Sequence, residues 1–299
     1  MLTTWIFFSI FAGFIWAVVN TLDKYVLNKW IKKPIIPAII TGMVGLISSF
    51  LIFIIHGFSA FSSINILLAL ITGIFYGLMS IFYFQALKIE EASRIIPLYS
   101  LSPLFILILA KCFLDEVLTP VKYFGVFLSI LGAVLISSKS FKDLFRIRSG
   151  KAILFVMLSA LSISINAVLS KYLLKFTDFW TIFAYTRIGT MITIIPLFCI
   201  YLPELININK KYGKKVITIM SGNEVLNLLA VLLVTIATSI GSVTLVNALS
   251  SLHLFFLLLI TIILSIFRPK ILKEEFNKSI LSLKIIATIL IFTGVILMT

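Results

Sequence analysis

Apolar residues along this chain fall into ten long runs separated by short polar stretches. The runs cover 3–20, 35–56, 64–87, 94–113, 119–137, 151–173, 179–202, 219–241, 243–267 and 279–298. Crossing roughly 30 Å of hydrocarbon takes about 20 apolar residues in a helix, so each run is long enough to span it. A backbone inside lipid finds no water to bond, which leaves helices or closed barrels as spanning structures. The ten-residue alternating strands of a barrel are absent. The pattern predicts an all-α polytopic membrane protein with ten transmembrane helices.

Composition agrees. The chain is 61% hydrophobic and 12% charged, with mean hydropathy +1.19, more apolar surface than one soluble core can hide. The first run lacks a basic leading region and a small-residue cleavage site before Asp23, so it is expected to be mature helix rather than a signal. The formal charge of +14 sits mainly in short loops between the runs, which suits lipid headgroups and topology rather than nucleic acid. Cys112 and Cys199 fall near the ends of different runs and form no metal-spacing cluster, so no disulfide between them is expected.

The chain also repeats itself. "VVNTLDKYVL" at 18–27 aligns with "INAVLSKYLL" at 165–174, setting Lys24 on Lys171 and Tyr25 on Tyr172. "LYSLSPLFILIL" at 98–109 aligns with "ALSSLHLFFLLL" at 248–259, and "VKYFGVFLSILGAVLIS" at 121–137 with "LKIIATILIFTGVILMT" at 283–299. Order is kept across all three, which predicts two five-helix units, 1–138 and 151–299, joined by a basic linker at 139–150. Because five is odd, the second unit enters the membrane from the opposite side, making the units inverted repeats. Loops after the odd runs hold about 20 basic residues against about 4 after the even ones. Basic loops stay in the cytoplasm, so this charge predicts both termini outside the cytoplasmic membrane.

With its "FIWAVVN" opening and the stretch "FYFQALKIEEASRIIPLYSLSPLFILILAKCFLDEVLTPVKYFGVFLSILGAVLIS" closing the first unit, the chain resembles EamA-type members of the drug/metabolite transporter superfamily. The likeness runs over essentially its whole length. It implies a ten-helix secondary transporter of small polar solutes with a central cavity between two units. Members move amino acids, nucleotide sugars, choline, toxic compounds or lipid-linked sugars, so the resemblance leaves the substrate open. Where the family carries Gly-Glu-Arg after the fourth helix, this chain has Asp115, Glu116 and Val117. The arginine often found in the second helix of each unit is Arg187 in the second and Thr41 in the first. The family is usually drawn with both termini in the cytoplasm, the reverse of what loop charge predicts here.

Arg187 lies eight residues into its run, roughly 12 Å from one end. It is a candidate to hold a carboxylate or phosphate, since a guanidinium offers a two-pronged donor pattern; the plainer role is snorkelling to a headgroup or pairing with a neighbouring helix. Glu224 suits it by charge, but the predicted runs put that acid near the opposite face. With Asn223 and Asn227, Glu224 forms a patch at helical spacing, either a cation or proton site or a solvated helix start. His253 is a candidate for proton coupling, or a neutral histidine bonded to a carbonyl or serine. Pro97 and Pro103 are predicted helix breaks that turn carbonyls toward a cavity, with hydroxyls from Tyr99, Ser100 and Ser102. Asn247, Ser250 and Ser251 are their counterparts in the ninth run, or serve to hold helices together.

Trp16 with Asn20, and Tyr83 with Gln85, complete the expected lining, set against ordinary packing for the aromatics. Lys24 and Lys171 are expected to snorkel at span ends. Glu116 and Glu275 are loop or helix-start acids and candidate gates with Lys122 and Lys278. No HExxH motif, acid-rich metal run or Gly-rich phosphate loop occurs, so neither an enzyme nor a metal or cofactor is expected. Two readings of function remain. One is a carrier of a small polar metabolite working by alternating access, with protons as candidate coupling ion. The other is a flippase for a polyprenyl-phosphate-linked sugar or other lipid; a channel or scaffold is more distant.

Overall fold

The computed structural model describes residues 4–31, 33, 35–57, 62–90, 92–137, 149–267 and 278–299. Among them run α1 Thr4–Lys29, α2 Ile35–His56, α3 Ser63–Ile89, α4 Ala92–Tyr99, α5 Ser102–Leu114, α6 Pro120–Ser137, α7 Gly150–Leu173, α8 Phe179–Tyr212, α9 Lys214–Ile240, α10 Val243–Ser250, α11 His253–Phe267 and α12 Lys278–Met298. Nine stretches of the described residues are long and apolar enough to cross a bilayer, and Ser282–Met298 is a further, shorter apolar helix. Large apolar side chains face outward, Ile54 at 78% and Ile55 at 84% exposure. So much exposed hydrocarbon suits lipid, not water. The chain is an all-α polytopic membrane protein. Linker residues 139–148 and Glu275 lie outside the described residues, as do the side chains of Lys24 and Lys278.

Several helices outrun their apolar stretches. α1 continues to Lys29, α8 to Tyr212, and α9 begins at Lys214 rather than at 219. Helical hydrogen bonds do not need lipid, so polar residues carry the helix on into the interface. Asp178 starts α8 by accepting from the Trp180 and Thr181 amides at 2.8 and 3.2 Å, the usual service of an N-cap side chain. Gly213, with φ +68°, makes the tight turn into α9.

The fourth and ninth runs are each split in two. α4 ends at Tyr99 and α5 starts at Ser102; α10 ends at Ser250 and α11 starts at His253. The breaks were predicted at Pro97 and Pro103, and that placement is corrected. Pro97 lies inside α4, and Pro103 sits in the first turn of α5, where a missing N–H removes no helical bond. The chain turns between the two prolines instead, with i to i−3 bonds from Leu101 to Leu98 and from Leu104 to Leu101. Leu252 to Leu249 and Leu254 to Ser251 repeat that turn in the ninth run without any proline.

Helix pairing has an exchange symmetry. α3 packs on α7 as α9 packs on α1; α2 pairs with α8, and α6 with α12. At the α3–α8 crossing the backbones nearly touch, since a Cβ on Gly73 would strike the Thr186 carbonyl and one on Gly189 the Leu70 carbonyl. Thr190 Oγ1 donates to the Gly73 carbonyl at 3.2 Å, and Asn166 Nδ2 on α7 to the Thr72 carbonyl at 2.9 Å. Small residues that let backbones approach, with polar side chains bridging helices, are how membrane helices associate without a hydrophobic drive.

α5 closes on Asp115, the one non-glycine residue with positive φ among those described, at 55°. That explains the glycine the resemblance leads one to expect there, because a left-handed cap carries a steric cost for any residue with a Cβ. Asp115 is exposed, so Asp115→Gly should raise stability by about 0.5–1 kcal/mol. A higher thermal-unfolding midpoint in detergent is the expected readout.

Candidate functional site

α1 places Trp16, Asn20 and Asp23 at successive turns of one face. α9 answers with Asn223, Glu224 and Asn227. Trp16 Nε1 donates to Asn227 Oδ1 at 2.9 Å, and Asn227 Nδ2 donates to Glu224 Oε1 at 2.6 Å. Asn223 Nδ2 donates to Asp23 Oδ1 at 2.8 Å and to the Val19 carbonyl at 3.3 Å. Asn223 and Glu224 are only 4% and 8% exposed. The solvated helix start is therefore corrected: α9 begins at Lys214, so Glu224 lies ten residues in, roughly 15 Å along the axis.

That extension also removes the depth mismatch expected between Glu224 and Arg187. Arg187 on α8 is close enough to act on Glu224 electrostatically, and the Thr41 hydroxyl of α2 is within hydrogen-bond reach of the same carboxylate. Arg187 does not snorkel. It is 2% exposed, with its guanidinium 4.3 Å from the Tyr76 ring centroid and 5.3 Å from that of Phe183. Its Nε and Nη1 have no hydrogen-bond partner among the described residues. Stacking between rings offers a desolvated guanidinium about 2 kcal/mol, and its unused N–H donors remain suited to an acceptor.

Aromatic side chains extend the cluster. Tyr83 stands against Tyr99 with centroids 5.2 Å apart and lies within electrostatic range of Asp23. On the far side, Trp16 meets His253 edge-on at 6.3 Å. Through Asp23, which lies within electrostatic range of both Tyr83 and Glu224, the Tyr83–Tyr99 pair joins Trp16, Arg187, Glu224, Asn227 and His253 in one group, and Asn20 is half-buried one turn from Trp16.

Other expected residues stand differently. Gln85 is two residues from Tyr83, so the helical step turns it away from that face. Ser100, Ser250 and Ser251 donate their hydroxyls to carbonyls of their own turns, as Asn247 does its amide. The Ser102 carbonyl accepts from Ser164 on α7 at 3.0 Å. His253 lies with Nδ1 3.2 Å from the Ser250 carbonyl, an acceptor that makes Nδ1 the donor and leaves Nε2 as the ring's acceptor. Among the described residues, no three His, Cys, Asp or Glu side chains gather as a metal site would require.

Glu116 and Lys171 depart from their expected roles. Glu116 was paired with Lys122 as a gate; instead it reaches across to α10. It accepts from Ser242 Oγ at 2.6 Å and from the Val243 and Thr244 amides at 3.1 and 3.2 Å, satisfying donors that a helix start leaves open. Asp115's left-handed turn sets it there. Lys171, expected to snorkel, donates to the Thr238 and Gly241 carbonyls at 2.7 and 2.8 Å, at the end of α9. An acid and a base thus clamp both sides of the α9–α10 turn, each at the helix end whose dipole favours its charge. Glu116→Ala should lower stability by about 1–2 kcal/mol, read as the thermal-unfolding midpoint in detergent.

Helices crossing a bilayer around a buried, charged and aromatic cluster define an integral membrane protein with a polar site at depth. Residues 3–138 match the model of the EamA-like transporter family, so the first half of the chain is similar to that family. Members of that family are transporters. A solved crystal structure of a protein superposes with a TM-score of 0.71, covering 99% of this chain and 97% of the other at 14% identity, a likeness of fold alone. No curated protein matches the chain in sequence.

Proposed function

We propose that the chain is a secondary transporter of a small polar metabolite, built as two inverted five-helix units, 1–138 and 151–299, around the Arg187–Glu224 cluster. The observation that carries this reading is Arg187 itself, held 2% exposed between two rings with guanidinium N–H groups unused. An intramembrane charge so placed is a functional site by default, and unused donors fit an anionic group of a solute. The exchange symmetry of helix pairing supports two units, and alternating access would rock one against the other. His253 and Glu224 are the candidate proton-coupling groups. Loop charge favours both termini outside the cytoplasmic membrane.

A second reading is a lipid flippase, favoured by one feature. An apolar groove of about 270 Å³ between α2 and α9 is lined by Ile47, Leu51, Val225, Leu229 and Phe183, whose ring lies against the Arg187 guanidinium. An acyl chain suits such a groove, with a phosphate toward Arg187.

Thermal unfolding of purified protein against amino acids, choline, nucleotide sugars and polyprenyl phosphates tests both. A ligand at about a hundred times its dissociation constant adds roughly 2.7 kcal/mol. A soluble compound that stabilises supports the metabolite carrier; a response to polyprenyl phosphates alone transfers support to the flippase.

A further inference from the structure

The metabolite reading concerns the anion-binding half of the cluster; its other half is built from acceptors. Asp23 on α1, and Asn223 and Glu224 on α9, present two carboxylates and an amide oxygen. The two acids lie within electrostatic range of each other. Asn223 is oriented by the Val19 carbonyl, which can only accept, so its Nδ2 must face Val19 and Asp23. Its Oδ1 is thereby left buried without a hydrogen-bond partner among the described residues. An orphaned buried acceptor is rare and calls for a donor.

The charges point the same way. Arg187 lies within electrostatic range of Glu224, yet neither carboxylate accepts from its Nε or Nη1. Tyr83 lies within electrostatic range of Asp23, and aromatic faces attract cations. A hard metal cation takes six or more oxygens, and with five at most from this trio it would need water to complete its shell. An ammonium has three donors on one point charge.

We propose that Asp23, Asn223 and Glu224 receive a protonated amine of the transported solute. This rests on the carrier reading and narrows it: with Arg187 holding an acid group, the solute is amphoteric, carrying amine and acid close together.

The test uses full-length protein in detergent and three matched probes: phenylalanine, N-acetylphenylalanine and phenylalaninamide, with sodium chloride as a fourth. The site predicts that phenylalanine binds tightest and that acetylating its amine weakens binding about tenfold or more, the loss of a charge-assisted hydrogen bond. Asp23→Asn and Glu224→Gln should each erase the preference for the free amine, while the amide's deficit depends on Arg187 instead. Folding of each variant is monitored by gel filtration, and Asn223→Leu gives a third variant should either acid variant fail to fold. Equal binding of the free and acetylated forms overturns the amine site, as does a response to sodium that Asp23→Asn removes. If no amine probe binds but a nucleotide sugar or polyprenyl phosphate does, the amine site is lost while transport stands. If nothing binds and no solute crosses liposomes, both fall.

Discussion

Gly73→Leu should destabilise the protein by about 3 kcal/mol or more, the upper end for overpacking. Most overpacked sites relax because the opposing atom is the tip of a flexible side chain. Here a first methyl already strikes the Thr186 carbonyl and the Gly189 Cα, both backbone. Relief would need α3 and α8 to separate, breaking the Thr190 bond to Gly73 and disturbing Tyr76, about one turn from Gly73, and Arg187, which lies between Thr186 and Gly189. Gly189→Leu should do the same from the other side, through Leu70. Gly222 is the control: nothing lies within 4 Å of a Cβ placed there, so Gly222→Ala should be neutral or stabilising by up to about 1 kcal/mol. Thermal midpoints in one detergent compare all three, and an unchanged midpoint for both leucine variants would contradict the close α3–α8 crossing.

Arg187→Ala should leave the protein folded yet weaken its acidic solute about tenfold to a hundredfold, matching roughly 1.5–3 kcal/mol for hydrogen bonds to a charged group. Arg187 Nε and Nη1 bond to nothing among the described residues, so no protein acceptor loses a hydrogen bond from them, although Glu224 loses a nearby positive charge. Truncation does remove packing against Tyr76 and Phe183. Arg187→Lys keeps the charge but not the planar fork or the ring stacking, and should recover only part of the affinity. Binding equal to wild type in the alanine variant would remove Arg187 from the site.

Apolar run length carried the helices, because lipid imposes so simple a rule that composition nearly suffices. Boundaries were less legible: nothing in hydropathy says that α9 continues out to Lys214, yet that continuation moves Glu224 from the membrane face to the buried cluster. Arg187, Trp16 and Asn227 were visible as polar exceptions in apolar runs. Asp23 was missed although a signal existed, since it lies seven residues from Trp16 and three from Asn20 on one helical face. Tyr76 and Phe183 gave no such signal, because one more aromatic among many is indistinguishable until the fold places it on a guanidinium. Glu116 was legible as an acid after the fourth run but not as a cap for α10, since its partners lie more than a hundred residues away.

Solute counterflow in liposomes tests the central claim most directly, with wild type, Arg187→Ala and Glu224→Gln incorporated at equal amounts and loaded with whichever soluble compound stabilises the protein. If the Arg187–Glu224 cluster is the transport site, wild type should exchange label with saturation, and both variants should fall well below it. Flux that rises linearly with concentration, or that both variants leave unchanged, would contradict it.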